Sequence, residues 1–405
     1  GPDIISVTEL SNSLVYRAPA VYAGRHLTDA QYSKAFFQSV AMSYVTGSHA
    51  AKFGVMWLHG SGRQDSQVNG DMTYQFLNGV PRTVILRATP LSLSQRLAAD
   101  LGLYAQDQWT LKRMTLNLGI RHTYFNSYVP PQQIPAGTFV PARNYAAVED
   151  VVTWNDLTPR MGASYDLFGN GKTALKFSIG KYLNSEAAAT ANTRNPQNTV
   201  VSTASRSWTD SNGNFYPDCN LLNPVANGEC TGPISDRNFG QTSLASTTYD
   251  QDYLHGWGKR NYNWETSVGV QQQLRPGMSA NATYFHRTYG NFLVTDNLAV
   301  APTDYDPFCI TAPVDSRLPG GGGNQRCGFY DLNPSRIGQV NNFITFAKNY
   351  GKMSDVYDGV DLTINARLPH GGLLQGGVNT GREAMDVCDV IGKVDLPAAA
   401  LPIIT

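Results

Sequence analysis

The sequence predicts an all-β fold: an antiparallel transmembrane β-barrel, incomplete, of about twelve strands with long loops at one end. Three observations predict it. First, apolar and polar residues alternate with period two, the signature of a strand with two different faces. In Asp100–Tyr128, Leu101, Leu103, Ala105, Trp109 and Leu111 share one face, and Tyr104, Gln106, Gln108 and Thr110 the other. Second, such runs last about ten residues. An ordinary strand has roughly 5–6, and a tilted strand crossing a bilayer needs about 9–11. Third, connections alternate in length. Short turns follow residues 45, 77, 111, 167, 274 and 368, and longer connections follow 60, 88, 125, 182, 290 and 380. A membrane barrel keeps its long loops at one end, whereas a soluble sandwich has no reason to.

Taken in order, residues 35–60 hold two alternating runs joined by Thr46-Gly47-Ser48-His49, ordinary hairpin chemistry. The runs MTYQFL and RTVILRA flank Asn78-Gly79, a strong hairpin signal, and are counted as the next pair of wall strands. After the Asp100–Tyr128 hairpin, residues 126–156 read as a Pro-rich loop. Leu157 to Leu167 and Leu175 to Ile179 alternate around Gly169-Asn170-Gly171. A second long loop covers 183–261, almost without periodicity, a length uncommon in compact domains unless functional. Trp264 to Leu274 and Met278 to His286 alternate around Arg275-Pro276-Gly277. A third loop covers 291–354. Val360 to Leu368 then turns through Pro369-His370-Gly371-Gly372 into a weak strand, 373–380. Trp109, Tyr124, Tyr182, Tyr262 and Trp264 sit near strand ends, where an aromatic girdle meets the membrane–water interface. Asp107 falls on the face assigned to lipid; near a rim a carboxylate still reaches water.

Composition narrows the function. The 405 residues are only 15% charged, with 31 Lys+Arg against 31 Asp+Glu, so nothing suggests a nucleic-acid partner, which needs a concentrated basic surface. No run approaches the roughly 18 apolar residues of a transmembrane helix, which leaves strands as the membrane-crossing element. The start at Gly1-Pro2 and the end at AALPIIT suggest a piece of a longer chain. Cys219 with Cys230, and Cys309 with Cys327, bracket polar loops and are expected as two disulfides in an oxidising compartment, free surface thiols being the alternative. Cys388 is left over.

Chemistry-bearing motifs are few. Gly169-Asn170-Gly171-Lys172-Thr173 looks like the end of a phosphate-binding loop, but the earlier glycine is replaced by Asp166 and a hairpin follows. Asp210, Asn212, Asn214, Tyr216 and Asp218 recur at every second position around Gly213, a spacing that folds oxygens onto one hard cation. Calcium is therefore a candidate cofactor at this loop. The twelfth position is Leu221 rather than Glu, and an Asx-turn without metal is the alternative. Glu149-Asp150 and the run Gly320 to Gly323 read as solvated loop, and neither a zinc-protease pattern nor a nucleophile elbow occurs, so no enzyme is expected.

The segments LGLYAQDQWTLKRMTLNLGIRH, LTPRMGASYDLFGNGKTALKFSIGKY and YNWETSVGVQQQLRPGMSANATYFHRTYGNFLVTDN, with WTDSNGNFYPDC, DYDPFCITAP and YDGVDLTINARL, resemble the barrel of TonB-dependent outer-membrane receptors. The resemblance covers roughly residues 35–390 and is nearest to the Oar-like branch, which carries a carboxypeptidase-regulatory-like domain. It implies a bacterial outer-membrane transporter in contact with outer-membrane lipid, a lumenal plug, a TonB partner and a transported ligand whose identity no motif carries over. Plug, TonB box and C-terminal strands are not present, so the chain 1–405 reads as part of a receptor barrel. A passive porin and a secreted calcium-binding β-rich adhesin are the alternative readings.

Overall fold

A computed structural model describes residues 4–18, 22–23, 33–368, 371–391 and 393–394. Gly1-Pro2, the Pro369-His370 half of the last turn and the C-terminal AALPIIT lie outside them. No helix among the described residues is long and apolar enough to cross a membrane.

The main sheet has twelve strands, of which Tyr22–Ala23 and His255–Trp257 are short additions. The other ten form the wall: β1 (Ser33–Thr46), β2 (His49–Gln67), β3 (Leu91–Leu111), β4 (Met114–Val129), β5 (Val148–Asp166), β6 (Thr173–Leu183), β7 (Tyr262–Arg275), β8 (Met278–Gly290), β9 (Ser354–Arg367) and β10 (Leu373–Asp386). Each pairs antiparallel with its sequence neighbour. The order is a simple meander, and the sheet is not closed into a barrel. Tight turns at Gly47, Lys112, Gly169 to Gly171 and Gly277 use left-handed backbone, which Gly adopts without a Cβ clash.

The hairpin Met72–Leu77 and Val80–Arg87 is not part of this wall, contrary to the pattern reading. β2 pairs directly with β3, and the hairpin joins a separate five-stranded sheet with Ser6–Glu9, Val15–Tyr16 and Thr203–Ser207. The physical reason is length and burial. Its strands are six and eight residues long, and Met72, Thr73, Tyr74, Phe76, Val84 and Leu86 are all buried. Neighbouring residues buried on both faces belong to a small globular core, not to a half-lipid wall. The wall strands also run further than the alternation suggests: β4 reaches Val129 and β5 begins at Val148, so strand replaces much of the expected loop 126–156.

The two faces of the wall differ sharply. Cross-strand register places Phe53, Ala105, Ile120 and Pro159 in one row, and Val268, Tyr284 and Val360 in another on the same face. Met42, Phe53, Leu103, Ile120, Met161 and Val268 are all exposed there, an apolar face suited to lipid. The opposite face carries Lys52, Gln106, Asn117, Arg121, Arg160, Lys176 and Asn281, among others. On it Ser178 bonds Ser267 (2.6 Å), Asn281 bonds Thr363 (3.0 Å) and Asn379 donates to Asp361 (2.6 Å).

Tyrosines cover glycines on this polar face. A Cβ at Gly54 would lie 2.4 Å from the Tyr104 ring, and one at Gly359 or Gly381 would lie 2.4 Å from the Tyr357 hydroxyl. Tyr182 also lies on this side, with the Arg160 guanidinium 4.5 Å from its ring centre. Its girdle assignment is thereby corrected, because register puts it opposite Asn263 and not among the lipid-facing residues. Trp109, Tyr124, Tyr262 and Trp264 do share the apolar face.

Ile120→Arg, on the apolar face near mid-strand, is expected to destabilise the folded wall by about 2–4 kcal/mol. Asn117→Arg, on the polar face of the same strand, is expected to cost little. Urea midpoints in lipid vesicles check this, and equal costs for the two would reverse the faces.

Candidate functional site

All connections at one end of the wall are long, and they fold into a structured assembly. Its first part is built around the five-stranded sheet. Val7, Tyr74, Phe76, Val84, Leu86, Trp208, Leu221, Cys230 and Phe239 form one apolar core. Segments more than a hundred residues apart in sequence therefore share it, through pairing of Thr203–Ser207 with Thr83–Arg87.

Arg206 organises the next loop. It is fully buried, and it forms no ion pair among the described residues. Its guanidinium donates to the carbonyls of Asn220, Leu221, Asn223, Val225 and Gly232. Burial pulls its affinity for the proton below the usual arginine range, but the carbonyl cage keeps most of its donors satisfied. The Cys219–Cys230 disulfide closes the same loop.

Glu229, adjoining that disulfide, ties down the candidate calcium loop. Its carboxylate accepts from the Ser211 hydroxyl (2.6 Å), the Ser211 N–H (2.7 Å), the Asp218 N–H (3.2 Å) and Trp208 Nε1 (3.3 Å). Within the loop, Asp210 accepts from the N–H groups of Gly213 (2.8 Å) and Phe215 (3.0 Å). The amides of Asn212 and Asn214 both donate to Asp218 Oδ2, at 2.6 and 2.9 Å. Asn214 Oδ1 accepts from the Tyr216 N–H at 2.8 Å. The five residues singled out by their spacing thus occupy one turn. Among the described residues no group of three or more His, Cys, Asp or Glu side chains is placed to hold a metal ion.

The second part of the assembly closes over the polar face of the wall. Phe125, Val152, Trp154, Tyr253, Leu254 and Phe346 form a buried cluster from two wall strands and two loops. Trp154 Nε1 donates to the Tyr253 carbonyl at 2.6 Å. Arg260 lies 4.8 Å from the Phe125 ring centre and 5.2 Å from that of Trp154, with Nε 3.4 Å from the Asp156 carboxylate. None of these residues drew notice in the sequence; loop burial has no periodic signal. A third part is a ribbon, Tyr305–Thr311 paired with Gln325–Leu332, bridged by Cys309–Cys327 and exposed along almost its whole length. Cys388 is free and exposed.

Below the mouth, the polar face holds a groove of about 420 Å³ lined by Lys52, Tyr104, Gln108, Asn117, Arg121 and Arg160. Arg121 lies over Gly102, where a Cβ would be 2.3 Å from its guanidinium. It bonds Thr123 Oγ1 (3.2 Å), and none of the three cations forms an ion pair among the described residues. At Gly169 to Lys172 the Asp166 carboxylate accepts from the Gly169 and Gly171 N–H groups, so that glycine loop is filled by its own side chain.

An apolar outward face, a polar inward face and long loops gathered at one end define an outer-membrane β-barrel wall. The chain belongs to the outer membrane beta barrel domain family, whose model matches residues 13–378, and its location is the outer membrane. No curated protein matches the sequence. Among solved structures, the outer membrane transporter YddB from Escherichia coli aligns with a TM-score of 0.45 and 11% identity, over 90% of this chain and 35% of that one. The ferric enterobactin receptor PfeA from Pseudomonas aeruginosa aligns with a TM-score of 0.41 and 12% identity, over 94% and 39%. The FrpB iron transporter from Neisseria meningitidis gives 0.39 and 11%, over 87% and 36%. The chain thus spans between a third and two-fifths of the length of these proteins.

The hydrogen bonds to Glu229, that from the Ser211 hydroxyl first, lower its carboxyl from 4.5 to about 2. The stability it contributes is therefore fully present above about pH 4.5 and is lost as pH falls from there toward 2. Hydrogen exchange in residues 208–219, corrected for intrinsic rates, is expected to speed up at about pH 3 relative to pH 6. Glu229→Gln is expected to exchange fast at both, and an unchanged ratio in the variant would remove Glu229 from this role.

Proposed function

We propose that the chain is part of the barrel of a TonB-dependent transporter of the Oar-like branch, taking up a ligand captured by its loops. The observation that carries this reading is the folded loop assembly seated over the polar face of a membrane wall. A passive porin needs an open mouth. Here the Phe125–Trp154–Phe346 cluster and the Arg260–Asp156 pair pack loops onto the wall at that mouth. The ligand is anionic or carries an anionic group, because Lys52, Arg121 and Arg160 line the groove below against one acidic residue, Asp107, and none of the three forms an ion pair among the described residues. The wall itself has no motor, so opening depends on energy delivered through TonB to a plug.

In cells carrying the complete receptor, uptake from a pool of small anionic solutes is expected to collapse when TonB is deleted. It is also expected to fall several-fold in Arg121→Ala/Arg160→Ala. Uptake indifferent to TonB would instead establish a passive pore. Stable solution of the 405-residue chain without detergent would favour the adhesin.

We also propose calcium at Asp210, Asn212, Asn214, Tyr216 and Asp218. What supports it is that the five residues share one turn, in which both asparagine side chains reach Asp218 and which Glu229 holds in place. EGTA is expected to increase protease cleavage within residues 205–222, and calcium to reverse it. An unchanged cleavage pattern would dismiss the ion.

A further inference from the structure

The lipid-facing side of the wall repeats one kind of side chain at one height. The even-numbered strands all run from the short turns toward the long loops. Each carries a basic group between its ninth and eleventh residue: His59 in β2, His122 in β4, Lys181 in β6, His286 in β8 and Arg382 in β10. Register puts all five on the apolar face. Phe36 lies opposite His59, Leu103 opposite His122, Trp264 opposite Lys181, and Asp358 opposite both His286 and Arg382. A tilted strand crosses the hydrocarbon in about 9–11 residues, so this height is the far edge of the bilayer.

Four of the five are seated on the wall by a neighbour. His59 packs against Phe36 and Trp57, with ring centres 5.2 and 4.4 Å away. His122 stacks on Trp257 at 5.2 Å, and its Nε2 lies 3.1 Å from Asn155 Oδ1. Lys181 Nζ lies 4.3 Å from the Tyr262 ring centre. His286 Nδ1 lies 2.8 Å from Asp358 Oδ1, to which the Tyr284 hydroxyl donates at 2.5 Å, so this carboxylate is already engaged. None of the five is buried, and Arg382 is exposed. Lys181 and Arg382 form no ion pair among the described residues. The belt thus holds basic groups open to a headgroup at the level where headgroups lie.

Long loops mark the extracellular end of an outer-membrane barrel, so the belt meets the outer leaflet. We propose that it binds the phosphates of a glycolipid of that leaflet whose sugar headgroup carries more than one phosphate. Successive members of the belt stand two strands apart, about 10 Å at the usual strand spacing. A disaccharide with a phosphate at each end reaches two members at once, whereas a phospholipid with a single phosphate reaches one. Ammonium and guanidinium groups supply charge-assisted bonds, and an imidazole N–H donates in either protonation state. The acyl chains lie below, against the exposed apolar residues of the same face. The site is independent of what the barrel transports, since it lies on the opposite face of the wall from Lys52, Arg121 and Arg160.

The test uses the full chain in nanodiscs of equimolar bisphosphorylated lipid A and phosphatidylglycerol, with the lipids retained after detergent release counted by native mass spectrometry. The wild type is expected to retain lipid A over phosphatidylglycerol by about fivefold, the equivalent of one further charge contact of about 1 kcal/mol at a membrane surface. With dephosphorylated lipid A that preference is expected to vanish, a result read on the wild type and so independent of how any variant folds. Lys181→Gln/Arg382→Gln is expected to bring the ratio close to unity. Lys112→Gln/Arg113→Gln, at the short-turn end, is expected to keep it. A wild-type ratio near unity or favouring phosphatidylglycerol overturns the proposal. So does equal retention of dephosphorylated lipid A, or a Lys181→Gln/Arg382→Gln protein with the wild-type preference.

Discussion

Everything in this molecule follows from one constraint: inside hydrocarbon a backbone N–H or C=O has no water to turn to. Each unpaired group costs several kcal/mol, so a membrane-crossing chain must satisfy its backbone within itself. The ten-strand meander does this by pairing every wall strand with its sequence neighbour, through ladders of up to fifteen or more registered residues such as β2 with β3. Only β1 and β10 have an unpaired side among the described residues. Those edges carry the full cost in a bilayer unless they are covered. Side chains then sort by solvent. Apolar residues face lipid, and the polar ladders Ser178–Ser267, Asn281–Thr363 and Asp361–Asn379 face the other way.

Outside the bilayer the constraint changes, and so does the architecture. Water can satisfy an exposed backbone, but loops of such length need a core to hold a shape. They find it by pooling segments: residues 5–9, 72–88 and 200–239 build one core, and two wall strands lend Phe125 and Trp154 to another. Apart from the Arg260–Asp156 pair, the buried polar groups named in the loops are caged by neutral partners. Arg206 sits among carbonyls, and Gln132, Asn195 and Gln197 bond one another and the backbone of Ser92 and Ser94. Such cages satisfy buried donors and acceptors without adding a second charge.

The wall was legible because its two solvents differ so much. Alternation through Leu101 to Leu111 and Met114 to Tyr124 carries both strand and face, and both disulfides lie where the paired cysteines suggested. Legibility ended at the membrane surface. The 72–87 hairpin has the same turn chemistry as a wall hairpin, and only its burial on both faces separates them. The first half of β3, Leu91–Asp100, is strand as well, but the Gln95-Arg96 and Ala98-Ala99 steps and a register shift near residue 98 interrupt its alternation. The loop cores escaped because they join segments far apart in sequence, each too short to show a period. The candidate calcium residues were visible through spacing alone, whereas Glu229, which anchors their loop, stands eleven residues beyond Asp218 and carries no pattern.

The tyrosines that lie over glycines have a consequence for how this wall changes over evolutionary time. At Gly54 any side chain meets the Tyr104 ring, and Tyr357 alone fills the space above two facing glycines, Gly359 and Gly381. Loss of the ring leaves bare backbone; gain of a Cβ beneath it produces a clash. Neither partner can drift by itself without cost, so substitutions at Tyr104 and Gly54 should arrive together, as should those at Tyr357 and its two glycines. Paired exchange at these positions would make them a record of strand adjacency, readable from relatives that share no other recognisable residue.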